Sequence, residues 1–264
     1  MNKYSQKYHI IQGEMDANYR LKITSAIMYS QDCFARYLTS KNLGAFDLKK
    51  QNLCWIISEF DIRFFDELPF WSEQIEVTTW VSEISRLKIF VDFEIKYNNV
   101  PFAKGNTCWI LLNYETRRPA ATDIIANQIE ICPELTIGEH KKFKLSEIKE
   151  KTNEFAYKTN LSDIDFNNHV NNRSYINIAG SSATEEFEST HIIKRLAAKF
   201  NRESFLNDTL ICSTYNTDEE NTYVNKIEKD GSFICDIITS WAKTDKRNNI
   251  LDCDLAVRSK KTQQ

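Results

Sequence analysis

Residues 64–79 read FFDELPFWSEQIEVTT and residues 199–214 read KFNRESFLNDTLICST, two segments of one layout at a constant offset of 135. Each passes from an aromatic strand end through a short polar turn to a phenylalanine, and then into a strand. Few identities are shared, but the order and spacing of elements are. The reading of these segments decides whether 264 residues form one large domain or two small ones.

Working outward, the same order recurs on both sides. Residues 85–97 (SRLKIFVDFEIKY) alternate, with Leu87, Ile89, Val91, Phe93, Ile95 and Tyr97 on one face. Lys88, Asp92, Glu94 and Lys96 fall on the other, the pattern of a strand with one buried side. NNVPFAKG then supplies a turn into a second strand at 106–114, and QIEVTTWV at 74–81 is a further strand. Upstream, 24–38 places Ala26, Tyr29, Cys33, Phe34, Tyr37 and Leu38 on a helical face, with Thr24 as its cap. In the second half Asn172 caps a helix with Tyr175, Ile178, Ala179, Ala183 and Phe187 on its apolar face. Strands follow at 192–200, 209–215 and 223–229, then a turn at Lys229, Asp230 and Gly231, then a strand at 233–241. Helix, strand, turn, strand, hairpin therefore occurs twice, with a divide in the charged stretch 141–151. The expected architecture is α+β: two copies of a unit in which a long antiparallel sheet wraps one central helix, at 1–145 and 146–264. Pairing the copies covers sheet edges and completes the core.

Composition narrows the function classes. The chain is 42% hydrophobic and 27% charged, which excludes a disordered chain. With six glycines and no GxGxxG, GxxxxGKS/T or GxSxG string, nucleotide loops and serine elbows are absent from the sequence. A net charge of −3 gives no nucleic-acid-binding signature, and no stretch is long and apolar enough for membrane insertion. Seven cysteines without a CxxC pair read as reduced thiols of a cytoplasmic protein. No cofactor or metal site is expected from four dispersed histidines. His9, His140 and His191 read as ordinary surface or boundary residues.

Chemistry concentrates at 161–175, LSDIDFNNHVNNRSY. Asp165, Asn167 and His169 stand at a spacing of two. In an extended segment they point one way; in a loop they converge at the start of the following helix, whose N–H groups favour a developing negative charge. An imidazole with carboxylate and amide neighbours is an acid/base unit near neutral pH. The same residue types equally suit a polar loop that caps a helix.

The segment DIDFNNHVNNRSYI resembles the signature of the acyl-acyl carrier protein thioesterases of plants and bacteria, D-[LI]-D-x-N-x-H-V-N-N-x-x-Y. IRFFDELPFWSEQIEVTTW, RLKIFVDFEI and CWILLNYETRRPA, with its T-R-R-P turn at 116–119, are similar to further blocks of that family in the same order. The resemblance runs from about Gln12 to Thr244. It implies a tandem (double) hotdog fold and hydrolysis of fatty acyl-[acyl carrier protein] to free fatty acid. The implied catalytic residues are Asp165, Asn167 and His169, with a glutamate that falls on Glu203. The cysteine that follows this glutamate in plant members is Ser204 here, so a cysteine nucleophile is missing at that place.

A thioester is reactive enough for activated water. The implied roles are therefore water activation by Glu203 and His169, orientation by Asp165, water or substrate binding by Asn167, and carbonyl polarisation by a backbone N–H near Asn172. Direct attack by Ser204 is the lesser reading. The first-half counterpart of Glu203 is Leu68, which cannot exchange a proton, so the chemistry belongs to the second half. Tyr29, Cys33, Trp55, Ile57 and Phe64 are candidates for either an acyl tunnel or plain core. The implied partner is acyl carrier protein bearing a phosphopantetheine-linked acyl chain, met by a monomer or homodimer. Its acidic surface suits a local basic cluster: Lys141, Lys142 and Lys144; Lys194, Arg195, Lys199 and Arg202; or Lys243, Lys246 and Arg247. Competing classes are an acyl-coenzyme A thioesterase, a hotdog dehydratase and a non-catalytic acyl-binding module.

Overall fold

The structure is a computed structural model that describes residues 2–16, 19–65, 68–140 and 143–244. Its elements in chain order are β1 (Tyr4–His9), α1 (Ile23–Ser40), α2 (Ala45–Lys49), β2 (Leu53–Phe64), β3 (Gln74–Ile84), β4 (Ile89–Tyr97) and β5 (Val100–Asn113). They continue with α3 (Asp123–Ala126), β6 (Ile148–Lys158), α4 (Asn172–Gly180), α5 (Glu185–Thr190), β7 (His191–Phe200), β8 (Thr209–Thr217), β9 (Thr222–Lys229) and β10 (Ser232–Lys243). The ten strands form one sheet in the order β1-β3-β4-β5-β2-β7-β10-β9-β8-β6. The order reads the same from both ends once the two halves are set against each other. β2 and β7 pair antiparallel at the seam, from Glu59 opposite Lys199 to Arg63 opposite Arg195.

The duplication extends to single hydrogen bonds. The Asp165 amide donates to the His169 carbonyl at 2.9 Å, and the Asp16 amide donates to the Arg20 carbonyl at 2.8 Å. Val170 N–H donates to Ser204 C=O, and Leu21 N–H donates to Pro69 C=O, both at 2.9 Å. Asn168 (φ 63°) and Tyr19 (φ 61°) occupy the same left-handed position of the two turns. Arg20 is therefore the mate of His169, and Leu68 the mate of Glu203.

One apolar core crosses the seam. It joins Leu21, Ala26, Ile27, Phe60 and Ile62 of the first half to Tyr175, Ile176, Ile178, Leu196 and Ile237 of the second. A second cluster packs Phe34, Tyr37 and Leu38 of α1 against Ile89, Val91, Trp109 and Leu111. Of the candidates for tunnel or core, Cys33 and Phe64 are core and Trp55 and Ile57 pack on the second cluster. The half-buried Tyr29 donates its hydroxyl to Glu14. The six described cysteines are unpaired, and Cys253 lies outside the described residues. Burial pushes the Cys33 thiol up to about 12.

Several local expectations change. α1 starts at Ile23 with Lys22 at its cap position, so Thr24 lies inside the helix. The second-half helix is capped by Asn171, whose Oδ1 accepts from Arg173 N–H at 2.8 Å, and not by Asn172. It also stops at Gly180; Ala183 and Phe187 belong to a turn and to α5, which Thr184 caps. Residues 85–88 turn before β4 begins, leaving Leu87 exposed. The hairpin after β4 needs only Asn98 and Asn99, at φ 50° and 65°, as Asp230 and Gly231 do in the second half.

Asp92 lies on the face read as solvent-directed, yet it is fully buried. The segment after α3 crosses that face. Thr136 donates its N–H and its hydroxyl to Asp92 Oδ1, both at 2.8 Å, and His140 Nε2 stands 3.1 Å from Oδ2 and 2.8 Å from Ser82 Oγ. His140 is thus an interior residue. His191 is buried as well, stacked on Phe187 with ring centroids 4.1 Å apart. His9 stays at the surface beside Gln74.

Candidate active site

The loop that carries the signature is a tight turn and not an extended segment. Ile164 and Val170 bridge antiparallel, and Asn168 N–H closes back on Asp165 C=O at 3.0 Å. Asp165 Oδ1 accepts from Asn167 N–H at 2.8 Å, so the aspartate braces the turn from within. Asp165, Asn167 and His169 are all partly buried. The turn delivers His169 just ahead of α4, and a cavity of about 450 Å³ opens alongside, lined by Tyr157, Asp163, Asn171 and Arg173.

Glu203 lies three residues beyond the end of β7. The turn there is fixed by the Val170–Ser204 backbone bond, which sets the glutamate against the histidine: Oε2 is 3.4 Å from His169 Nε2. Phe205 meets the His169 ring edge-on, with centroids 5.2 Å apart. Burial is the largest influence on the imidazole and holds it below its ordinary pKa. The Arg117 charge acts in the same direction, and Asp165 opposes both. At neutral pH His169 therefore presents a neutral ring.

Arg117 escaped the sequence reading of the site. It belongs to the T-R-R-P turn after β5, with φ 56°, and its guanidinium crosses the seam to bond Glu203 Oε1. Asn113 Oδ1 secures the turn by accepting from Thr116 N–H at 2.8 Å. The other guanidinium arm approaches Cys54 Sγ at 3.5 Å. The signal was present as a matched block, but nothing in its spacing connects it to a glutamate 86 residues away.

Ser204, the alternative nucleophile, is fully buried. Its Oγ lies 2.6 Å from the Tyr175 hydroxyl, whose oxygen also accepts the Ser204 N–H at 3.1 Å. Burial pushes Tyr175 up to about 12, so it is no base for a serine. Among the basic clusters, Arg195 is committed to Asp61 across the seam at 2.7 Å. Lys141, Lys142, Lys246 and Arg247 lie outside the described residues.

One continuous sheet whose strand order repeats in two units, each wrapping a helix, defines a tandem hotdog protein; His169 and Glu203 meet in the second half, and Arg117 reaches Glu203 from the first. The chain belongs to the acyl-ACP thioesterase family: residues 1–128 match the acyl-ACP thioesterase N-terminal domain and residues 146–243 the C-terminal domain. It is 26% identical over 211 residues to oleoyl-acyl carrier protein thioesterase 2 of Arabidopsis thaliana, covering 75% of this chain and 55% of that protein. It is 23% identical over 215 residues to the Arabidopsis palmitoyl-acyl carrier protein thioesterase, covering 76% and 52%. The chain thus spans about half the length of these curated relatives. Among solved structures, an acyl-ACP thioesterase from Bacteroides thetaiotaomicron superposes with a TM-score of 0.79 at 23% identity, covering 91% of this chain and 98% of that one. The 12:0-ACP thioesterase from Umbellularia californica gives 0.80 at 16% identity, covering 92% and 98%.

Proposed function

We propose that this chain hydrolyses the thioester of fatty acyl-[acyl carrier protein], releasing free fatty acid and ending chain elongation. Family membership supports the substrate class. The observation that carries the chemistry is the approach of His169 Nε2 and Glu203 Oε2 to 3.4 Å beside an arginine that engages the other carboxylate oxygen. A water lodged against this pair loses its proton to it and attacks the thioester carbonyl; the C–S bond then breaks, and the phosphopantetheine thiol of the carrier protein leaves with that proton while the acid is freed. Arg117 is a positioning residue that keeps one oxygen of Glu203 occupied and the other aimed at His169. Asp165 holds the turn that presents His169, and Asn167 binds the water or the carbonyl through its amide. The amide of Asn172, at the positive end of α4, polarises the carbonyl as charge develops.

The division of labour follows the proposed units, 1–145 and 146–264, with the reactive residues in the second. No helix among the described residues is long and apolar enough to cross a membrane. Unpaired thiols support a cytoplasmic setting. The test is release of free acid from a panel of acyl-[acyl carrier protein] thioesters beside matched acyl-coenzyme A thioesters. Faster turnover on the carrier-protein substrates is expected; turnover on coenzyme A thioesters alone, or none on either, would refute the assignment.

A further inference from the structure

Tyr175, in the first turns of α4, is buried in the core that crosses the seam, yet its hydroxyl makes two bonds to one residue. It accepts the Ser204 N–H at 3.1 Å and lies 2.6 Å from Ser204 Oγ. The Ser204 carbonyl in turn accepts from Val170 N–H at 2.9 Å. Residue 204 is therefore tied at its amide, its side chain and its carbonyl, and Glu203 is the residue before it. On the other side, Asn201 and Arg202 N–H both donate to Ile234 C=O, at 2.8 and 3.3 Å. The backbone of Glu203 makes no hydrogen bond of its own among the described residues. Its place is set by the anchors that flank it.

The first half supplies a control. α1 opens at Ile23 as α4 opens at Asn172, and the N–H groups of Ser25 and Ser174 close on the matching cap carbonyls, Lys22 and Asn171. The mate of Tyr175 is thus Ala26, and the mate of Ser204 is Pro69, which has neither a hydroxyl nor an N–H. The backbone bond survives there, since Leu21 N–H still donates to Pro69 C=O. Ala26 is fully buried, so the smaller residue leaves no opening to solvent. Closing this turn does not require a tyrosine–serine pair. The pair occurs in the half that has a glutamate to place, and is missing from the half where Leu68 stands.

We propose that Tyr175 is a positioning residue for the hydrolysis: it fixes the backbone from which Glu203 meets His169, as Arg117 fixes the carboxylate. The proposal rests on the role given to Glu203 above. Tyr175 is 2% exposed and its hydroxyl is taken up by Ser204, so it acts through residue 204 and not on the water or the thioester. A buried polar pair whose members satisfy each other holds its surroundings in one arrangement.

The experiment is a double-mutant cycle on single-turnover hydrolysis of acyl-[acyl carrier protein] by wild type, Tyr175→Phe, Glu203→Gln and the two combined, with KM measured for each. Phenylalanine keeps the ring and removes only the hydroxyl. Tyr175→Phe should lower the rate about tenfold with KM unchanged, because the base is displaced while substrate binding is not. In the Glu203→Gln background the same change should cost less than about twofold, since no base is left to place. A role in folding alone would lower the rate equally in both backgrounds. Ser204→Ala, which keeps the amide bond to Tyr175, should lose less than Tyr175→Phe. Where Tyr175→Phe fails to fold, Tyr175→Phe/Ser204→Ala removes the two hydroxyls together and takes its place in the cycle. A wild-type rate in Tyr175→Phe beside a damaged Glu203→Gln would overturn this proposal alone, as would equal losses in both backgrounds. A wild-type rate in Glu203→Gln would overturn the role of Glu203 and this proposal with it.

Discussion

Replacing Arg117 with methionine removes a charge that reaches Glu203 from the opposite half of the molecule while keeping most of the side chain's bulk. Hydrogen bonds between charged groups contribute about 1.5–3 kcal/mol when shielded. Here the two side chains are 33% and 36% exposed, and solvent screening reduces the contribution to about 1 kcal/mol. If that energy is spent on aiming Glu203, its loss costs about fivefold in kcat, since about 1.4 kcal/mol is tenfold. A second effect separates electrostatics from aim. Burial first, and the Arg117 charge next, hold His169 below its ordinary pKa. Removing Arg117 lets that pKa rise, so more His169 is protonated at mildly acidic pH, and the acid limb of kcat/KM moves to higher pH. Arg117→Lys keeps a charge but loses the two-armed geometry, so its acid limb should move less than that of the methionine variant while part of the rate is lost. The assay is a pH–rate profile between about pH 5 and 9 at constant ionic strength. A methionine variant with wild-type rate and an unmoved acid limb would refute the link between the two halves.

Other expectations are structural. Ser204→Ala should retain hydrolysis within a few-fold, as its hydroxyl is buried against Tyr175; its cost is about 1 kcal/mol in denaturant unfolding. Loss of turnover in a folded Ser204→Ala protein would revive a serine nucleophile. Asp92→Ala removes the buried acceptor of the Thr136 N–H and the carboxylate beside His140 and should cost about 1–3 kcal/mol, read as a lower Tm with the candidate-site residues untouched. Gly105→Ala places a methyl 2.3 Å from the Asp61 carbonyl and 2.5 Å from the Phe93 ring. It should destabilise by about 1–3 kcal/mol; a neutral result would mean that β2, β4 and β5 pack less tightly than described.

What was legible in the sequence follows from which forces are local. The strands 74–84 and 89–97 announce themselves because a sheet face alternates every second residue, and the hairpins because their turn residues accept positive φ. The break after Gly180 was hidden because Ala183 and Phe187 continue the helical spacing, although the chain leaves the helix at Ser181. Period two assigned Asp92 to its face correctly but carried no information that residues 136–140 would cover it. The meeting of His169 with Glu203 came through the family resemblance, because contacts across a turn and a strand end leave no periodic trace. Arg117 shows the limit most clearly. Its role depends on the antiparallel seam between β2 and β7, and no local pattern encodes that pairing.

The central claim is that one half of a duplicated fold carries the chemistry, through Glu203 facing His169. Its most direct test is single-turnover release of fatty acid from acyl-[acyl carrier protein] by Glu203→Gln, which keeps the side chain's size while removing its basicity. The account predicts a fall of about a hundredfold or more in a folded protein that still binds substrate. Hydrolysis within a few-fold of wild type would contradict it.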